Sequence, residues 1–230
     1  MSSIIEYFQS IDTQFVLSTG RLLLEGALVT LQITLVAVSC GVLIGLFVGV
    51  AELSSYRILR IPAKIYVDII RGTPLLVQIF IIYFALPAII GMRIEPYIAA
   101  VVACSINSGA YVAEIFRAGI QSIDKGQFEA GRSLGLNWYQ TMLKIVIPQA
   151  FRRTIPQLGN EFIAMLKDSS LVSVIGFEEL TRKGQLVIAA TYRSFEIWSA
   201  VAIIYLIMTL TISRLVSYLE KKYNSNGSRN

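Results

Sequence analysis

From Gly26 to Ala51 the chain carries no charged residue. A run of that length and polarity matches the thickness of a lipid bilayer, and in hydrocarbon the backbone must satisfy its own polar groups. An α-helix is the form that does so within one segment. Further apolar blocks occupy about residues 62–90, 96–116, 154–175 and 198–219. The expected fold is therefore all-α: one polytopic membrane domain over residues 1–230, with five transmembrane helices. The chain is 55% hydrophobic and only 15% charged, with a mean hydropathy of +0.64, whereas a soluble domain carries more charge.

The net charge of +5 does not point to nucleic acid, because the basic residues sit in short connections between apolar blocks, where they orient a chain. Arg57, Arg60, Lys64, Arg117, Lys125, Arg132, Lys144, Lys221 and Lys222 would lie inside; Arg93, Arg182, Lys183 and Arg193 would lie outside. This bias predicts an external N-terminus and a cytoplasmic C-terminus. With no histidine, the usual proton shuttle and metal ligand are missing, and no metal site is expected. Cys40 and Cys104 fall inside apolar runs and read as packing residues. The N-terminus lacks a basic n-region, so the first span is expected to remain uncleaved. Residues 3–17 place Ile4, Phe8, Ile11 and Phe15 on one helical face, as in a short interfacial helix.

Within the first span, taken as Leu22–Ala51, Ala37, Gly41, Gly45 and Gly49 recur every fourth residue, a stripe that lets another helix approach closely. The second span starts near Pro62 and should bend at Gly72-Thr73-Pro74. Asp68 and Arg71 in its first half are spaced to pair with each other. The third span, from Pro96, carries Ser105, Asn107 and Ser108 in its middle. The fourth is interrupted early by Pro156 and later by Asn160-Glu161. A segment with Glu178, Glu179, Arg182 and Lys183 precedes the fifth span, which Trp198 and Tyr218 flank.

Between the third and fourth spans, residues 124–148 are dense in helix punctuation. Asp124 can cap a helix from Lys125, with Gln127 placed for a capping box. Gly135 suits a left-handed helix end followed by apolar Leu136. Asn137 caps again with Gln140 three residues on, and the second helix runs toward Pro148. The pattern is two short helices hinged at Gly135, on the cytoplasmic side.

In that segment Glu129-Ala130-Gly131, three residues, Gly135, nine residues and Ile145-Val146-Ile147-Pro148 resemble the E-A-A-x3-G-x9-I-x-L-P loop of permease subunits of ABC type I importers. Gly131 and Ile147 depart from that pattern. Arg71-Gly72-Thr73-Pro74-Leu75 with Gln78, the stretch around Tyr111, Glu114 and Arg117, and Lys167-Asp168-Ser169-Ser170-Leu171 are similar to the polar amino acid branch. The resemblance implies that residues 124–148 are a coupling loop, with Glu129, Ala130, Gly131, Gly135 and Pro148 meeting a separate ATPase. It implies two ATP-binding subunits, a second permease copy, identical or similar, and an external solute-binding protein. It also implies a place in the prokaryotic inner membrane. ATP and Mg belong to the ATPase; this chain has no cofactor of its own and no G-x4-G-K-[ST] loop, so it is not an enzyme. Glu129 is expected near the positive end of the first short helix.

Glu161 lies about 18 Å from the outer end of its span, and Asn107 is similarly deep, so both fall near the midplane. A carboxylate there needs a partner or a hydrated cavity. It can pair with Lys167 or with an arginine from another span, or it can bind a cationic cargo. The resemblance to branches with Asn-Glu at this place favours the cargo, so Glu161, Asn107, Asn160 and Ser108 form the expected substrate site, and a basic L-amino acid the expected substrate. The alternative is the same permease class for glutamine, glutamate or another polar amino acid. An ion channel would want a filter loop or charge ring, a membrane enzyme a catalytic cluster, and a secondary transporter a doubled hydropathy pattern; none is evident.

Overall fold

The computed structural model describes residues 13–224. All of its regular structure is helical. The first helix, α1 (Thr13–Glu52), begins before the expected span. Residues 3–12 of the expected interfacial helix lie outside the described residues, and 13–17 form the start of α1. Phe15 there packs against an apolar cluster built on Leu23, Ala27, Leu166, Leu180 and Ile197, with the Arg193 guanidinium 4.7 Å from its ring centroid.

The small-residue stripe of α1 faces α4 (Pro96–Gln121) of the same chain. A Cβ on Gly41 would stand 2.7 Å from Ser108 Cβ, and one on Gly45 2.6 Å from Val112 Cβ. These contacts allow no side chain, so the glycines set how closely α1 and α4 approach. The main core joins Ile33 and Ala37 of α1 to Ala99 and Ala103 of α4 and to Met165 and Val172.

The expected bend at Gly72-Thr73-Pro74 is a full break: α2 (Arg57–Arg71) and α3 (Leu75–Ile90) meet at 104°. A turn of π-helix, Ile81–Ala85, precedes Pro87 in α3, and another, Met142–Val146, precedes Pro148. In each, the last backbone N–H before the proline reaches back five residues, from Leu86 to Ile81 and from Ile147 to Met142. A proline ring collides with the carbonyl one turn earlier; the wider turn makes room, and the helix continues.

After α4 comes α5 (Lys125–Ser133), then α6 (138–168), which joins Trp138–Thr141, the π turn and Ile147–Asp168 into one rod. The second helix of the hinged segment therefore does not end at Pro148, and Pro156 lies inside α6 without breaking it. A 3-10 turn, Ser169–Ile175, follows, then α7 (Leu180–Thr191) and α8 (Ser194–Asn224). Beside α7, the Lys183 ammonium lies 2.6 Å from Glu178 and holds that exposed carboxyl below its ordinary range.

Among the described residues three helices are long and apolar enough to cross a membrane: Gln14–Glu52, Pro96–Gln121 and Ser194–Lys221. The bent pair makes a fourth if counted as one span. Of the expected five spans, three or four meet that test of length and composition. The remaining block, 154–175, is helical to Asp168, but Asn160, Glu161, Lys167 and Asp168 lower its apolar content.

Candidate functional site

Where α2 breaks from α3, the chain leaves carbonyls without their helical donors. Ile70 would bond the N–H four residues on, but that residue is Pro74, which has none. Gln78 supplies the missing donor. Its side-chain nitrogen lies 2.8 Å from Ile70 O, 3.1 Å from Thr73 O and 3.0 Å from Thr73 Oγ1. Its oxygen accepts from Asn107 Nδ2 on α4 at 3.0 Å. The elbow and the middle of α4 are thus tied by one buried amide pair.

Asn107 also lines an open polar cavity of about 390 Å³, with Arg71, Thr73, Tyr111, Asp168 and Leu171. The Arg71 guanidinium is 5.3 Å from the Tyr111 ring centroid and 3.7 Å from Glu114. It does not pair with Asp68, as helical spacing suggested. Tertiary packing brings Glu114 to it instead, and Glu114 also binds Arg117, whose Nη1 reaches Gln121 Oε1 at 2.8 Å.

The four expected substrate residues are not all together. Asn107 and Ser108 are buried on α4, and Ser108 packs against Gly41. Glu161 on α6 is half-buried and approaches the Ser108 hydroxyl without closing a hydrogen bond, with Asp168 and Arg71 in electrostatic reach. No described ion pair joins Glu161 to Lys167 or to an arginine. Asn160 is exposed and lines none of the described cavities. Asp168 and Arg71, not named in the expected site, line the cavity that Asn107 reaches; the charge of each within an apolar block was the available signal.

In the hinged segment, Asp124 caps α5 by accepting from Gly126 N at 2.6 Å. Gln127 does not complete a box; its oxygen accepts from Gln149 at 3.1 Å. Gly135 has φ +77°, Leu136 N donates to Gly131 O at 3.1 Å, and Gly135 N to Arg132 O at 3.0 Å, a Schellman ending. The Asn137–Gln140 box is complete, at 2.8 and 3.0 Å. Glu129 sits in the middle of α5, exposed, not in its first turn, which weakens the dipole argument for it. Ala130 is also exposed, whereas Gly131 is buried against Thr141, whose Cγ2 would stand 2.6 Å from an added Cβ. That contact accounts for glycine where the resembling pattern has alanine. Ile123, Val146 and Ala150 form a small apolar core beneath the segment. Leu134, Trp138 and Tyr139 face outward from it.

One residue that sequence reasoning passed over is Glu179, fully buried although it stands in a charged stretch. Its carboxylate accepts from Arg182 N at 2.8 Å and from Thr181 N and Tyr205 Oη at 2.9 Å, and Thr30 Oγ1 lies 3.3 Å away. It caps α7 and joins it to α1 and α8 at once. Among the described residues no group of His, Cys, Asp and Glu is arranged to hold a metal ion.

Residues 41–225 match the family described as binding-protein-dependent transport system inner membrane component. The glutamine transport system permease protein GlnP of Escherichia coli (strain K12) is 48% identical over 202 residues, covering 87% of this chain and 92% of that protein. A crystal structure of an amino acid ABC transporter with histidines superposes with a TM-score of 0.88 at 46% identity, over 93% of this chain and 99% of that one. An inward-facing form of the MetNI methionine ABC transporter superposes at 0.76 with 21% identity, over 88% and 96%, a likeness of fold. The chain belongs to the family of binding-protein-dependent transport system inner membrane components: it is the membrane permease component of an ABC transporter and not the ATPase.

Proposed function

We propose that this chain is the permease subunit of an ATP-driven importer of neutral polar amino acids, with glutamine the first to test. The observation that carries this reading is the charge balance of the cavity beside the α2–α3 elbow. Arg71 and Asp168 supply one positive and one negative group there, and Asn107, Thr73 and Tyr111 supply neutral hydrogen-bonding ones. A zwitterionic amino acid with an uncharged polar side chain satisfies such a set. The 48% identity to a glutamine permease supports the same choice over the basic amino acids expected from Glu161 and Asn160. A second reading, a cationic substrate held by Glu161, draws support from its half-buried carboxylate with no described salt-bridge partner and from the neighbour solved with histidines.

In this reading α6 is the fifth pass through the inner membrane, its polar side turned to the pathway, with the N-terminus outside and the C-terminus inside. A second permease copy, two ATP-binding subunits that hold ATP and Mg, and an external binding protein complete the assembly. The segment 124–148 is the coupling loop: α5, with Glu129 and Ala130 at its surface and Gly131 at its packed side, meets the ATPase. The turn at Gly135 and the packing of Gly131 on Thr141 tie it to α6, so that a push on α5 moves the helix carrying Glu161 and Asp168. Movement of such a rod about a midplane site is the geometry of alternating access.

The test is ATPase stimulation of the reconstituted assembly by a panel of amino acids. Glutamine should stimulate most, and Arg71→Gln or Asp168→Asn should weaken its apparent affinity by about tenfold, the effect of roughly 1.4 kcal/mol. Strong stimulation by arginine or lysine with none by glutamine would replace this reading by the second.

A further inference from the structure

We infer that Gln78 is a positioning residue that forces Asn107 to present its carbonyl oxygen to the cavity, so that the permease selects substrates whose side chain donates a hydrogen bond. The inference rests on the cavity's being the substrate site. It begins at Pro74. Ile70 O and Thr73 O lie against the Gln78 amide, and main-chain carbonyls can only accept. The Gln78 atom facing them is therefore its nitrogen. Thr73 Oγ1 also receives from that nitrogen, having committed its own proton to Ile69 O at 2.9 Å. The Gln78 oxygen must then point at Asn107, 3.0 Å away, and the Asn107 atom that meets it must be a donor. The orientation of both amides follows from chemistry alone.

The consequence falls on the far side of Asn107. Its nitrogen is held toward Gln78, so Oδ1 is turned away from it, and the described residues supply no donor to that oxygen although Asn107 lines the cavity. An acceptor fixed in a buried site welcomes a carboxamide N–H and opposes a group that only accepts. Freed from Gln78, the Asn107 amide can rotate and offer its nitrogen instead, which removes the discrimination. A proline that breaks a helix thus sets, through two side chains, which end of an amide the substrate meets.

The test separates this role from charge by comparing glutamine with glutamate γ-methyl ester, a neutral amino acid of similar length whose side chain accepts but cannot donate. Binding is measured by calorimetry on the assembled permease–ATPase complex in nanodiscs. The parent should favour glutamine by about tenfold or more. Gln78→Met removes both bonds of the relay. Gln78→Asn stays polar and gentler on folding, but is one methylene too short to span Ile70 O and Asn107. In either variant the preference should fall to within about threefold. A general loosening of the elbow would weaken both ligands together and leave their ratio unchanged; an unchanged ratio in an assembled variant overturns the inference. Asn107→Leu distinguishes the two levels: if the preference survives that substitution, the cavity is not the site and the underlying reading fails with it.

Discussion

Glu179, in the connection before α7, places its carboxylate 3.3 Å from the Thr30 hydroxyl in the middle of α1. The single Thr30 proton lies between that carboxylate and Gly26 O, the nearer acceptor at 3.0 Å, and the Thr30 oxygen accepts from Leu180 N at 3.1 Å. Gly26 permits the approach, since a Cβ there would stand 2.8 Å from Leu180 Cα. A connecting segment is thereby locked onto the longest helix by a fully buried acid.

This lock predicts a large stability loss on Glu179→Ala. Removing the acid leaves two backbone N–H groups and the Tyr205 hydroxyl without their shared acceptor, while Thr30 keeps Gly26 O, a cost on the order of 3 kcal/mol. Glu179→Gln keeps one oxygen for the α7 cap and should cost less. Thermal unfolding of the purified protein in detergent measures both; equal melting temperatures for parent and Glu179→Ala would show that the node does not hold α7 in place.

Gly131 and Thr141 should behave as a coupled pair. Gly131→Ala drives a methyl against Thr141 Cγ2 and should cost about 1–3 kcal/mol, the usual range for overpacking. Thr141→Ala clears that space, so the double variant should recover most of the loss, and a double-mutant cycle reads the coupling. Additive effects would mean that α5 and α6 do not bear on each other there.

At Gly135 the difficulty is the backbone, not the space. Nothing lies within 4 Å of an added Cβ, yet φ is +77°. Gly135→Val should strain the hinge by about 1–2 kcal/mol, whereas Gly135→Asn, which tolerates the left-handed region, should be mild. In reconstituted assemblies, Gly135→Val is expected to lower transport per ATP hydrolysed with little change in substrate affinity. Full coupling in that variant would remove the hinge from the mechanism.

Glu161→Gln discriminates between the two substrate readings. If the cargo is neutral, glutamine uptake should stay within about threefold of the parent, since no full charge is lost from the contact. If the cargo is cationic, its uptake should fall by well over tenfold, because an ion-paired hydrogen bond is replaced by a neutral one. Uptake of labelled glutamine and arginine into proteoliposomes, side by side, decides it.

Much of this molecule could be read from local pattern. The apolar blocks, the small-residue stripe of α1, the break at Gly72-Thr73-Pro74, the turn at Gly135 and the Asn137–Gln140 box all depend on groups a few residues apart, whose periodicity and stereochemistry survive without tertiary context. The segment around Glu129 and Gly135 was legible for that reason. What the chain order could not supply was partnership across helices. Arg71 faced two acids, one a turn away and one on α4, and the packing of α2 on α4 chose Glu114. Glu179 resembled its exposed neighbour Glu178 until Thr30 and Tyr205 closed over it. Gln78 and Asn107 lie 29 positions apart, and the relay between them exists only because Pro74 orphans a carbonyl where α4 passes. Local sequence sets which groups must be satisfied; the fold decides which distant group satisfies them, because hydrogen bonds and ion pairs act over a few ångströms and that proximity is created by packing.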